Sequence, residues 1–407
     1  MSTQALDAPL GCTSANSAGP TPAAHWSAVL AMTLCVFALI ASEFMPVSLL
    51  TPIATDLGVS EGRVGQGIAI SGAFAVLMSL FVARLAGGVN RRTLLLGLTG
   101  LMALSGAVVA LAPNYGVYML GRALIGVVVG GFWSLSAATA MRLVPAPQVP
   151  RALAIFNGGN ALATVVAAPL GSYLGAIIGW RGAFFGLVPV GLVTLVWQWI
   201  TLPSMPAQPR QGNSGNVFEL LKNRAVALGM LAVSMFFMGQ FALFTYVRPF
   251  LETVTKVDAA RLPLMLLTLG VAGLVGTTLI GRLLKWNFFG TLVAIPILMA
   301  LIALALTVLG SSVAAVAVLL GLWGLVATAA PVGWWAWLAR TLPGDAEAGG
   351  GLMVAVVQLA IALGSTVGGW LFDASGYQGA FAASAGMLVV ASLVTLLTAR
   401  SQASKAA

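Results

Sequence analysis

Two charged residues stand inside stretches that are otherwise almost wholly apolar: Glu43 in AVLAMTLCVFALIASEFMPVSLL and Arg122 in GVYMLGRALIGVVVGGFWSLSAATA. An ionised group at the centre of a bilayer costs about 2.5–3.5 kcal/mol even on the mildest insertion scale. An acid and a base kept in two such segments point to proton chemistry. If the first segment runs outward to Leu50, Glu43 lies about 10 Å from its end at 1.5 Å per residue. Arg122, in a segment entering at Gly116, comes about 9 Å below the same surface. Matched depth lets the two pair, or lets one tune the other. An acid held between an apolar wall and a cation is suited to taking and releasing a proton. The structural alternative is an ion pair that closes the bundle. Pro46, shortly after the acid, removes the helix bond to the Ser42 carbonyl and frees an acceptor there.

A second set could hold a solute. The amides Asn157, Asn160, Gln240 and Gln358 fall within apolar stretches, where facing lipid is costly. Trp133, Phe237, Phe241 and Trp335 offer flat rings. Rings for stacking and amides for edge hydrogen bonds suit a small planar polar solute; for any one ring, core packing or lipid contact is the plainer role. Small residues form two rows: Gly126 and Gly130 on the stripe of Arg122 and Trp133, and Gly171, Gly175 and Gly179 after Pro169. Such rows are packing seams, and in a moving protein they are also where helices slide. No His/Cys/Asp/Glu cluster predicts a metal site, and no phosphate-cradling loop or hydrolase triad is present. Neither an enzyme nor a cofactor is expected. Cys12 and Cys35 cannot meet without dragging one into lipid, and His25 reads as interfacial.

The elements that position these groups follow from composition. Apolar residues are 59% of the chain and charged ones 7%, against roughly 25% charged in a soluble domain. Mean hydropathy is +1.01. Segments of membrane-spanning length are predicted at 26–50, 64–85, 93–112, 116–141, 152–174, 182–201, 225–250, 262–284, 288–309, 312–340, 349–372 and 377–399. The expected fold is an all-α membrane protein of twelve transmembrane helices in two pseudo-symmetric six-helix bundles. The divisions are a disordered tail over 1–25, a bundle over 26–201, a central loop over 202–224, a bundle over 225–399 and a tail over 400–407. The loop reads as a linker, PSMPAQPRQGNSGN, followed by a short surface helix, VFELLKNR.

The net charge of +9 comes from residues scattered singly through short loops, so it reads as an orientation signal rather than a nucleic-acid site. With the N-terminus cytoplasmic, thirteen of the nineteen Lys and Arg fall on the inner side, the positive-inside pattern. Both termini are then cytoplasmic. GWRGAF at 179–184 recurs as GYQGAF at 376–381, and ARL at 83–85 as GRL at 281–283. Two recurrences at nearly one offset suggest duplicated halves, with a substrate site where they meet.

Several motifs resemble the major facilitator superfamily over 26–399. LGRALIGVVVGG (120–131) is similar to the fourth-helix motif whose arginine is tied to proton coupling, which implies that role for Arg122, beside Glu43. AAPLGSYLG (167–175) resembles the fifth-helix motif of proton-driven exporters, with Pro169 and Gly171 matching; together with Pro46 these imply gating positions. SEFMPVSLLTPIATDLGVSEG (42–62) looks like the first helix of a bacterial branch of sugar and nucleoside exporters. HWSAV, GGFWSLSAATAMRLVP, GQFALFTYVRP and PVGWWAW resemble the bacterial purine ribonucleoside efflux pumps. The loop between the second and third spans departs from the superfamily pattern: ARLAGGVNRRT has Gly87 and Gly88 at the places of an acid and a base, leaving Arg91 and Arg92 as the gate's cations. The resemblance implies a protein of the bacterial inner membrane exchanging protons for purine ribonucleosides, with lipid as its surroundings; a monomer is expected. Arabinose-like sugars or assorted drugs are alternative cargoes, and a non-transporting receptor or scaffold is the reading from another class.

Overall fold

A computed structural model of the protein describes residues 24–85, 88–206, 217–342 and 346–406. The N-terminal tail, most of the linker and Gly87 lie outside the described residues. The rest is helical: α1 (Trp26–Leu57), α2 (Glu61–Leu85), α3 (Arg91–Ala110), α4 (Tyr115–Leu143), α5 (Val149–Phe185), α6 (Leu187–Thr201), α7 (Arg224–Phe244), α8 (Val247–Thr253), α9 (Leu262–Trp286), α10 (Phe288–Leu309), α11 (Val313–Ala327), α12 (Ala330–Thr341) and α13 (Ala346–Ala406). The expected surface helix after the linker is a 3-10 segment, Val217–Lys222. Ten stretches among the described residues are long and apolar enough to cross a membrane.

Two of those ten stretches each hold a break at a glycine. α5 contains Gly179 at φ 74°, ψ 165°, and α13 contains Gly376 at φ 70°, ψ −168°. These are the two glycines that open the repeated hexapeptides, and they share one conformation that side chains other than hydrogen rarely adopt. The sequence places Gly179 in a packing row with Gly171 and Gly175. The structure corrects this. A Cβ on Gly171 would press on Ser48 and one on Gly175 would strike Leu49, both on α1, whereas nothing lies near Gly179. Gly179 turns the chain; it does not pack.

Two spans expected to be continuous are interrupted. The seventh breaks between α7 and α8. The tenth breaks between α11 and α12, where Pro331 opens the new helix. Proline lacks the amide a continuing helix needs and is well placed in a first turn. α1 is longer than predicted, ending at Leu57 where Gly58 takes a left-handed cap. Glu43 therefore lies about 21 Å from that end at 1.5 Å per residue, deep in the helix rather than near its outer turn.

α1 is central, with 72% of its most apolar stretch buried, against 28% for the α5–α6 stretch, which turns apolar faces outward. α1 packs on α2, α4, α5, α6 and α8. Gly126 and Gly130 let α4 lie directly on α2, since a Cβ on either would collide with the carbonyl of Ser71 or Ala75. The largest apolar cluster draws almost wholly on α7–α13, a second on α1–α6 and the segment after them, and a third on α1–α6 with Tyr246 and Phe372 from the other side. α2 runs beside α13, and α5 beside α9, joining residues 26–206 to residues 217–406. These are called the first and second halves below. The near end is where Trp26 starts; the far end holds Leu57 and Gly376.

Candidate functional site

Glu43 and Arg122 are 3% and 1% exposed, and they do not form an ion pair. The Arg122 guanidinium donates from Nε to the Gly67 carbonyl at 3.1 Å, from Nη1 to the Ser42 carbonyl at 2.7 Å, and from Nη2 to the backbone carbonyl of Glu43 at 2.8 Å. Of the two relations that matched depth allows, the side-chain pair is not formed: backbone oxygens of α1 and α2 occupy the arginine's three nitrogens. The reason lies in α1 itself. Pro46 has no amide to offer Ser42, and the planar fork of an arginine fits several acceptors at once. The carbonyl freed by proline is the one that Nη1 takes.

The Glu43 carboxylate is left to a different partner. Gln358 Nε2, on α13 of the second half, donates to Glu43 Oε1 at 3.0 Å. Beside it the rings of Phe44 and Phe241 meet across the halves at 5.6 Å, and Phe241 also packs edge-on against Phe244. Gln240, next in sequence, is half-buried with a buried Oε1 that accepts no hydrogen bond. The structure thus joins α1 to the second half at two successive residues, Glu43 to Gln358 on α13 and Phe44 to Phe241 on α7, where Gln240 precedes Phe241 in the chain.

The remaining candidates lie elsewhere. Asn157 is exposed and donates to Leu153 of its own helix. Asn160 is half-buried. Trp133 packs edge-on against Phe132, and Phe237 against Phe236. Trp335 is 46% exposed on α12. Arg92 bonds through Nη2 to the Trp199 carbonyl of α6, inside the first half. The Arg91 amide bonds to Met205. Pro169 and Gly171 lie buried in α5 where it crosses α1.

Three groups, Arg248, Asp373 and Tyr246, hold the halves together toward the far end, and the sequence reading missed the first two in that role. Arg248, paired with Glu252 at 2.8 Å, donates through Nη1 to the Ser48 carbonyl. This repeats the device seen at Arg122, for Pro52 deprives Ser48 of its helix amide. A proline four residues after each acceptor was the available signal. Asp373 on α13 accepts from Ser60 Oγ at 2.6 Å and from the Gly62 amide at 3.1 Å. It caps the N-terminus of α2 from the other half, where a carboxylate is favoured. Tyr246 stands at a glycine contact, since a Cβ on Gly65 or Gly369 would strike its hydroxyl. That hydroxyl donates to the Ser365 carbonyl at 2.8 Å.

Among the described residues no group of three or more His, Cys, Asp or Glu is placed to hold a metal ion. The arrangement is a buried acid hydrogen-bonded across the two halves, next in the chain to a ring pair that also spans them. A carboxyl group so placed can take up and release a proton.

Comparisons with known proteins agree with this fold. The chain is 68% identical over 406 residues to a Pseudomonas aeruginosa protein named Transcription regulatory protein OpdE, covering 99% of both. It is 42% identical over 376 residues to the Salmonella typhimurium Purine ribonucleoside efflux pump NepI, covering 92% of this chain and 94% of that one. A solved bacterial homologue of the human lysosomal transporter Spinster, inward-facing and unoccupied, superposes with a TM-score of 0.79 at 16% identity, over 93% of this chain and 97% of that one. The sequence pattern of the Major Facilitator Superfamily matches residues 32–349, and with that coverage and the 42% relative the chain belongs to this superfamily of multi-pass membrane transporters.

Proposed function

We propose that this transporter exports purine ribonucleosides such as inosine and guanosine in exchange for protons, by alternating access. Twelve crossings in two six-helix bundles are the reading favoured here, since Gly179 and Gly376 divide the two longest apolar stretches. The near end is taken as cytoplasmic. Arg142, Arg151 and Arg340 lie there, with Arg151 over the Trp26 ring at 5.1 Å and Arg340 over the Phe288 ring at 4.0 Å, as expected of interfacial cations and aromatics. Both termini are then cytoplasmic, in a bacterial inner membrane. Contacts between the halves gather toward the far end, which fits a carrier closed to the outside.

The observation that carries the proton role is Glu43, a buried acid with no ion pair, hydrogen-bonded only across the halves. The cargo rests on likeness to a purine ribonucleoside efflux pump, with Phe241 as a stacking surface and Gln240 Oε1 as an unfilled acceptor. Everted vesicles offered radiolabelled inosine and arabinose test both claims. Inosine should accumulate only while the vesicle interior is acidic, and collapsing the proton gradient should release it. Arabinose accumulation without inosine accumulation would move the assignment to sugar export, and accumulation that ignores the gradient would remove the protons.

A second reading draws on the name of the 68% relative. An exporter alters transcription when its cargo is an inducer. In that case a transport-inactive variant changes gene expression as deletion does, and only while the solute is present.

A further inference from the structure

We propose that Gln358 is the positioning residue of the proton site: its amide ties Glu43 to the second half while the carrier is empty, and either a proton or a polar guest releases it. This rests on the exporter reading above and adds the rule by which its two cargoes take turns.

The geometry isolates one bond. Arg122 is the natural counter-ion for Glu43, yet its Nε, Nη1 and Nη2 all serve backbone carbonyls. The carboxylate's hydrogen bond comes instead from Gln358 Nε2 at 3.0 Å. Gln358 is itself 6% exposed and lies at a close backbone approach of α13 to α2, since a Cβ on Gly72 would come within 2.7 Å of the Gln358 carbonyl. When the halves part at this level, that bond breaks. Among the described residues no second side chain donates to the Glu43 carboxylate. Arg122 and Tyr118 come from α4, the Tyr118 hydroxyl lying against Gly67 without a hydrogen-bond partner; Glu61 and Arg63 stand at the start of α2, and Arg248 from α8 is seated on Ser48. Arg151 and Arg181 lie toward the ends of α5, and α6 carries no charge.

A hydrogen bond to an ionised acceptor is roughly twice as strong as a neutral one, and a buried carboxylate stripped of its donor is costly. Ionised Glu43 therefore holds the seam shut. A proton on Glu43 weakens the bond to a neutral one. A guest donor to Glu43, or a guest acceptor for the Gln358 amide, replaces it. The empty, ionised carrier is the one form that stays locked. An exchanger needs that property, because an empty carrier that reorients lets its two gradients run down separately.

The test reads the far end directly. Spin labels at Thr55→Cys and Ala259→Cys, both exposed on opposite halves, in a background with Cys12 and Cys35 replaced, report the distance across the seam in lipid nanodiscs without substrate. The unmodified site should give one short distance at alkaline pH and a growing long population on acidification. Gln358→Met keeps the volume and removes the donor. It should show the long population at both pH values, with the ratio of shut to open lowered about tenfold at alkaline pH, about 1.4 kcal/mol. Gln358→His, which restores an N–H donor, should recover part of the pH response. Glu43→Gln approaches the same seam from the acid's side and should also be insensitive to pH, which keeps the test decisive if Gln358→Met folds poorly. A Gln358→Met distance distribution that matches the unmodified site and keeps its pH response overturns the lock. Because no substrate is present, that result leaves the nucleoside assignment standing. A failure of inosine transport with the distances behaving as described removes the cargo and keeps the lock.

Discussion

Glu43→Gln should abolish uphill export, down to the level of vesicles lacking the protein, while the protein remains folded and inserted. The substitution keeps the shape of the side chain, and its amide oxygen still accepts from Gln358. What it removes is, among the described residues, the one carboxyl group buried between the halves at this depth. Replacing an unpaired buried carboxylate with a neutral amide is also unlike most core substitutions in its effect on stability. The ionised form is expensive to bury without a counter-ion, and Arg122 does not supply one. The thermal midpoint in detergent is therefore expected to be unchanged or higher. Downhill nucleoside exchange between the two sides should survive, since it needs only a guest to release the seam. Proton-driven accumulation of inosine at the unmodified rate in this variant would end the proposal that Glu43 carries the proton.

Arg122→Ala should be inactive for a different reason, and should be less stable as well. Three carbonyls lose a donor, but they are not equivalent. Those of Gly67 and Glu43 retain the amides four residues on in their own helices, whereas that of Ser42 has only Pro46 there. One buried acceptor is left unpaired, costing about 1–3 kcal/mol, and the space of a long side chain opens between α1, α2 and α4. Arg122→Lys keeps the charge but offers a point donor in place of a fork. It cannot reach the Gly67 carbonyl and the adjacent pair on α1 together, so transport should fall at least about tenfold, the equivalent of one such bond. The readouts are export rate, thermal midpoint and pH profile measured together. Full activity with an unchanged pH profile in Arg122→Ala would make this arginine a structural passenger.

Much of this was legible in the residues. The apolar runs located the long helices, because backbone satisfaction in lipid leaves helices as the natural option for a chain of this composition. Glu43 and Arg122 stood out by charge alone, and Pro46 predicted a free carbonyl that the structure finds filled. What the sequence could not supply was the partner of each group. Opposite charges at matched depth suggested an ion pair, but depth along a helix says nothing of rotation about it, and Arg122 points to backbone. Gln358 read as a substrate amide because only the packing of α13 on α2 brings it to Glu43. Arg248 read as a loop cation since the break after Phe244 that turns it inward leaves little mark in an apolar run. Gly179 looked like a packing residue by spacing; its positive φ became legible only beside Gly376.

The proline in α1 has a consequence for how this protein can change over generations. Arg122 and Pro46 are two halves of one solution, since the proline creates a vacancy and the arginine fills it. Loss of the arginine strands the Ser42 carbonyl, and Pro46→Ala would return an amide to that carbonyl. The pair of substitutions should therefore harm folding less than the sum of each alone, a coupling that a double-mutant cycle reads directly. Pro52 and Arg248 form the same arrangement, except that its members lie on opposite halves. Drift at the first pair is buffered within one half of the molecule. Drift at the second alters how firmly the two halves adhere, so α1 carries two prolines under unlike selection: one answers to folding, the other to motion.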